Sequence, residues 1–211
     1  RDQVYSAPWV IRYGEVPDST GSLVGFADGG ERVSTIRSFD DVLVSMDAPA
    51  RVGAELQIFR IPQEIESVGR VAVPTGVLTV SAIVEGGVVG VVTKEYDRIQ
   101  PGDLVRPVPT YTLEPGVYPQ EIAGGSEAMI MGFAGRQEIN DLGHVAFLDL
   151  GSDDGITVGD EFVLYGDLVS SPRGTLQVVG VTRSMASARI VSMVDDVFEQ
   201  GIVVRLSRKM P

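Results

Sequence analysis

The stretch Gly151–Tyr165, G-S-D-D-G-I-T-V-G-D-E-F-V-L-Y, decides how the chain is to be read. Asp154-Gly155 is a turn signal, because glycine accepts a positive φ and the aspartate side chain caps nearby N–H groups. Val158-Gly159-Asp160 forms a second tight turn, and Glu161–Tyr165 is a short run of β-forming composition. The same order stands upstream. Val52-Gly53-Ala54-Glu55-Leu56-Gln57-Ile58-Phe59 aligns with Val158–Tyr165, Gly53 and Gly159 lying 106 positions apart. A turn and a strand that recur together predict two copies of one β unit.

Working outward, the first copy reads as strands at Gly21–Phe26, Val42–Val44, Leu56–Arg60, Val68–Val73, Leu78–Val84, Val88–Thr93 and Leu104–Val108. A loop through Pro62 and Ile65, a hairpin at Glu85-Gly86-Gly87 and a turn at Pro101-Gly102-Asp103 separate them. The second copy follows with Ala128–Phe133, Val145–Leu150, Glu161–Tyr165, Gly174–Val178, Ala186–Met193 and Ile202–Arg205. Gly174–Val178 is set against Gly69–Val73, and Gln200-Gly201-Ile202 against Pro101-Gly102-Asp103. The offset drifts from 107 at Gly25 and Gly132 to 99 at Gly102 and Gly201, so insertions fall in loops. No window of about a dozen residues keeps a helical apolar stripe free of Gly and Pro. The expected fold is all-β: two tandem small β-barrels or sandwiches from an internal duplication, with very little helix.

The expected division is an extended N-terminal segment at 1–20, copy 1 at 21–109, a Pro/Gly linker at 110–125 and copy 2 at 126–211. Trp9, the only tryptophan, is expected to anchor the first segment; with Tyr165 it is the candidate contact residue. Asp154, Gly155, Gly159, Asp160, Gly53, Gly102 and Gly201 are expected to shape the turns.

With 29 acids against 17 bases and a net charge of −12, the chain lacks the clustered cations that phosphate backbones require, so nucleic acid is excluded as a partner. The basic tail Arg205–Lys209 reads as solvated charge after a last strand. With no cysteine, disulfides, thiolate metal sites and Cys nucleophiles are ruled out. No apolar run reaches the roughly 18 residues of a membrane-spanning helix. A chain that opens on Arg1 is expected to be processed or trimmed, with any export signal or anchoring module upstream.

Chemistry has few places to reside. Asp153-Asp154-Gly155, near Asp149 and Asp160, has a superficial calcium-loop look, but Ile156 and Val158 fall among the spacings and a strand follows, which fits a turn. His144 is the single histidine, with Asp141 close by; without a nucleophile elbow it reads as a hydrogen-bonded residue beside a strand. The doublets Gly29-Gly30, Gly86-Gly87 and Gly124-Gly125 open no helix and cradle no phosphate. Acid pairs at Asp40-Asp41, Glu64/Glu66 and Asp195-Asp196 read as solvated faces, and Met129, Met131, Met185 and Met193 as core filler. No catalytic, cofactor or metal residue is assigned.

Over Gly151–Tyr165, Val178–Val191 and Gly201–Met210 the chain resembles the C-terminal region of bacterial envelope proteins that carry an N-terminal LysM peptidoglycan-binding module. The pattern G-S-D-D-G-h-x-V-G-D-x-F-x-h-Y is also similar to the C-terminal domain of flagellar assembly protein T. The first copy departs from it, with Met46-Asp47-Ala48-Pro49-Ala50-Arg51 in place of the Gly-Ser-Asp-Asp-Gly turn. The resemblance implies an exported, periplasmic or envelope-located, non-catalytic structural module with protein partners, meeting peptidoglycan only through an upstream segment. Loops Pro62–Ser67 and Gly166–Arg173 would be its contact surfaces. Two alternatives stay open: a carbohydrate-binding or carbohydrate-processing protein using Trp9, Tyr13 or Tyr165 beside acids, and a component of a flagellar or secretion assembly.

Overall fold

A computed structural model describes residues 2–29, 35–111, 116–135, 139–166 and 172–211. Its elements are a one-turn helix α1 (Asp2–Tyr5) and strands β1 (Trp9–Arg12), β2 (Gly21–Phe26), β3 (Asp41–Met46), β4 (Glu55–Ile65), β5 (Gly69–Val84), β6 (Gly87–Glu95), β7 (Leu104–Pro107), β8 (Gln120–Glu121), β9 (Glu127–Phe133), β10 (Val145–Leu148), β11 (Glu161–Tyr165), β12 (Pro172–Val181), β13 (Ala186–Met193) and β14 (Val203–Lys209).

The first sheet runs β5-β4-β7-β2-β3-β6, and β6 returns to pair with β5. The second runs β12-β11-β14-β9-β10-β13, and β13 returns to β12. Both are closed six-stranded rings with the same strand order, so no strand of either ring is left as a bare edge. The duplicated all-β architecture expected from the repeat is what the chain adopts.

Equivalent residues make equivalent bonds. Gly53 donates its N–H to Val80 O at 2.8 Å, and Gly159 does the same to Val178 O at 2.8 Å. Gly102 donates to Leu23 O at 2.7 Å, and Gly201 to Ile130 O at 2.8 Å. A bulge interrupts the β2–β3 register at Leu23/Gly25; its counterpart in β9–β10 falls where Phe147 faces Gly132 and Leu148 faces Ile130.

Inward-facing side chains fill each barrel. Leu23, Val42, Val44, Leu56, Leu78, Val88, Ile99 and Val105 form the first core; Ile130, Ala146, Leu148, Phe162, Leu176, Ala186, Phe198 and Val204 occupy matching positions in the second. Equivalent positions carry different apolar residues in the two copies, as Ile99 against Phe198 and Val88 against Ala186 illustrate.

Contacts divide the chain into two compact units: Arg1–Tyr13, Gln63–Val71 and Tyr111–Pro211 form one, Gly14–Pro62 and Ala72–Thr110 the other. These units cut across the chain-order division 1–20, 21–109, 110–125, 126–211, because the N-terminal segment and the tip of the β4–β5 hairpin group with the second barrel. Within that unit Ser187 Oγ donates to Pro8 O at 2.6 Å, and the Gln63 amide accepts from Gly135 N at 2.8 Å and donates to Phe133 O at 3.1 Å. A methyl group at Gly132 would lie 3.0 Å from Ile65 Cδ1. The outside of the second barrel is thus clad, and β10, Val-Ala-Phe-Leu, is buried on both faces.

Several expectations are corrected. Pro62–Ser67 is not a loop: β4 continues through Ile65 and only Glu66–Val68 turns, because the hairpin extends beyond the length a barrel strand needs. The expected strands Val68–Val73 and Leu78–Val84 are, apart from Val68 in the turn, parts of one sixteen-residue strand, β5, which passes through Pro74 and takes up its irregularity in bulges at Val77/Leu78 and Val80/Ala82. Those bulges match Thr175/Leu176 and Val178/Gly180, so Gly174–Val178 is the partner of Gly76–Val80 and not of Gly69–Val73. Residues 1–20 are not simply extended, since they contain α1 and β1. The 110–125 linker contributes β8, paired with β14 through Glu121 and Arg208. The basic tail is strand, with Val204 and Leu206 buried and Arg205 and Arg208 exposed. Gly30, residues 112–115 of the linker and residues 167–171 of the Gly166–Arg173 loop lie outside the described residues.

Candidate functional site

Of the residues singled out by sequence, Gly53, Gly102, Gly155, Gly159 and Gly201 have φ of +85°, +90°, +79°, +99° and +88°. Asp154 closes a 3-10 turn over Ser152–Asp154, its Oδ2 accepting from Gly151 N at 2.9 Å. Asp160 does more than shape a turn. It is fully buried, and its carboxylate accepts from Thr157 N (3.0 Å), Thr157 Oγ1 (3.1 Å), Met210 N (2.8 Å) and Lys209 Nζ (3.1 Å). The C-terminal strand is thereby fastened to the Gly159 turn, a link that spacing alone does not reveal. No cluster of three or more metal-binding side chains occurs among the described residues.

His144 has a structural partner in the other copy. In the turn Asp141–His144, His144 N donates to Asp141 O at 3.1 Å and His144 Nδ1 accepts from Asp141 N at 2.9 Å. In the turn Arg37–Asp40, Asp40 N donates to Arg37 O at 3.2 Å and Asp40 Oδ2 accepts from Arg37 N at 2.8 Å. Histidine and aspartate do the same work, with their side-chain acceptors spent on backbone.

The aromatic candidates separate. Trp9 is 8% exposed and belongs to the cladding of the second barrel. Tyr13 lies at the surface with its hydroxyl donating to Glu64, a hydrogen bond that holds its phenol pKa above the ordinary value. Tyr165 is 37% exposed and lines a groove of about 400 Å³.

Strand register builds that groove. Glu161, Val163 and Tyr165 alternate outward along β11; Thr175 and Pro172 of β12 stand opposite Val163 and Tyr165, and Arg208 of β14 opposite Glu161. The β8 strand and the residue after it add Glu121 and Ile122, held by Ile122 N donating to Ser207 O at 3.0 Å. Arg208 bridges two carboxylates, Glu121 at 3.3 Å and Glu161 at 3.7 Å. One end of the groove is therefore an apolar floor of Val163, Tyr165, Pro172 and Ile122, and the other a charge triad. Sequence reasoning found Tyr165 but missed Ile122 and Arg208. Strict alternation with Val204 and Leu206 would turn Arg208 inward, and only the register shift between Glu161 and Phe162 brings it out opposite Glu161.

A second cleft, of about 570 Å³, lies on the first barrel and is lined by Thr35, Arg37, Ser38, Glu95, Tyr96, Asp97 and Arg98. Arg37 Nη1 pairs with Glu95 Oε1 at 2.9 Å, and Arg60 Nη2 with Asp97 Oδ2 at 2.6 Å.

Compared with family models, with curated proteins and with solved structures, the chain finds no match.

Proposed function

We propose that this chain is a non-catalytic interaction module that uses the Tyr165 groove of its second barrel to hold a protein partner. The reading is supported by where the polar atoms go. Asp160, Asp154 and His144 each spend side-chain acceptors on backbone N–H groups. Arg208 is divided between Glu121 and Glu161. What stays open to a neighbour is the aromatic and aliphatic floor with its charged rim, the composition of a contact surface. An exported, envelope-located setting for this module rests on the resemblance at Gly151–Tyr165.

The test is a photo-crosslinking amino acid placed at Tyr165 in the native host, with exposed Ser81 of the first barrel as control position. A discrete adduct of constant mass from position 165, absent from position 81 and lost in an Arg208→Glu background, is the expected result. Equal or no adducts from the two positions would reject the groove as the contact surface. Fractionation of the same cells checks the compartment independently.

A further inference from the structure

Phe39 occupies a position that the second barrel gives to glycine. It is the third residue of the Arg37–Asp40 turn, has φ +74°, and donates its N–H to Val92 O at 2.7 Å. Gly143, third in the Asp141–His144 turn, has φ +88° and donates to Ile190 O at 2.9 Å. An L side chain is disfavoured in this conformation, and a bulky one more so. The strain is not repaid by burial, because the Phe39 side chain is 82% exposed. Local stability therefore argues for glycine here and burial gives phenylalanine no reason to remain, which leaves a role for the ring itself.

The same turn supplies Arg37 and Ser38 to the wall of the 570 Å³ cleft. That volume lies within the roughly 300–1,000 Å³ typical of small-ligand sites. Its lining is unusual for an apolar ligand: two guanidiniums, two carboxylates, two hydroxyls and Tyr96, whose own hydroxyl is buried. The charges balance, so the cleft has little net field to select an ion. Arg37 is paired with Glu95 and Asp97 with Arg60, but each pair uses only part of its N–H groups and lone pairs, and the remainder suits a molecule whose every hydroxyl both donates and accepts. The exposed ring of Phe39, the residue that follows Ser38 of the lining, provides a face for C–H groups. We infer that this cleft, with Phe39 beside it, is a binding site for a short neutral oligosaccharide, independent of the Tyr165 groove.

The experiment titrates the whole chain with cellotetraose, maltotetraose and tetra-N-acetylchitotetraose, followed by calorimetry and by NMR shifts of the residues around the cleft. At least one sugar is expected to bind at millimolar concentration or below, with shifts confined to Thr35–Asp40 and Glu95–Arg98. Phe39→Gly is expected to weaken binding about tenfold while raising the melting temperature, opposite signs that a merely structural role would not give. Arg98→Gln, which leaves the turn intact, is expected to weaken binding without that rise. Absence of binding for all three sugars overturns the proposal, as does a Phe39→Gly variant that binds as well as the parent. Concentration-dependent self-association that Phe39→Gly abolishes, without sugar binding, would overturn it in favour of a protein-contact ring.

Discussion

Two buried aspartates show how differently one residue type is used. Asp160 has four donors around its carboxylate and is fully buried. Removing the side chain in Asp160→Ala strands Thr157 N and Met210 N and frees the chain end, a loss of about 2–4 kcal/mol. A fall in the urea midpoint with unchanged slope checks this, and Lys209→Met, which touches only the half-exposed partner, should cost much less. Asp103 is nearly as buried but, among the described residues, accepts from two donors, Thr75 Oγ1 (3.0 Å) and Gln100 N (3.1 Å). Burial pushes its pKa above the ordinary carboxylate value despite those two bonds. The folded state thus holds the proton more tightly than the unfolded one, and this group's contribution falls as pH rises from the usual aspartate range through the folded pKa. Asp103→Asn keeps an acceptor for both donors without the charge. It is expected to match or exceed the parent in stability at neutral pH and to flatten the stability profile in that acidic window. A variant less stable than the parent at pH 7 would show that the carboxylate charge is itself stabilising.

At the scale of elements, Gly174 of β12 and Phe198 are packed as a pair. A methyl group at Gly174 would meet Phe198 Cζ at 2.4 Å, and in the first barrel one at Gly76 would meet Ile99 Cδ1 at 2.8 Å. Gly174→Ala should therefore destabilise by about 1–3 kcal/mol, and adding Phe198→Leu should recover part of the loss in a double-mutant cycle. Additive effects would mean the two residues are not in contact. The elements themselves were unevenly legible. β2, β11 and β13 stand where composition and flanking turns put them, because each is as long as a barrel wall needs and ends at a turn. The joined strand β5 was not legible: Pro74 and Gly76 look like breaks, and only the bulges in register explain how the strand passes them. The groove was half legible. Tyr165 ends a strand with an outward alternation, whereas Ile122 comes from a glycine-flanked stretch whose pairing with Ser207 is set by tertiary structure alone. Phe39 could be found only once the two turns were matched by their hydrogen bonds, since the glycine in one and the phenylalanine in the other hide the equivalence.

For the whole molecule, the two units do not follow one another in chain order. The second barrel's unit includes the N-terminal segment and residues 63–71, although its strands begin only at β8. Phe147 and Val145 point away from the barrel interior, alternating with Ala146 and Leu148, yet all four are buried. A barrel cut out as residues 111–211 would lose Pro8 opposite Ser187, Ala7 beside Gly180 and Ile65 over Gly132, leaving that outer face to water. Its apolar surface would then resemble a half-built core, large enough to attract dye and other copies. Such a fragment is expected to bind an apolar fluorescent dye and to unfold at lower urea concentration than the same barrel does in the intact chain. Trp9 makes the intact chain its own control: the single tryptophan is buried in this unit, so its emission follows the second barrel's unfolding and not the first's. A fragment midpoint equal to the tryptophan transition of the whole chain would mean the cladding adds no stability. A lower midpoint, restored when residues 1–13 and 63–71 are fused back, would make the early residues a working part of the late barrel.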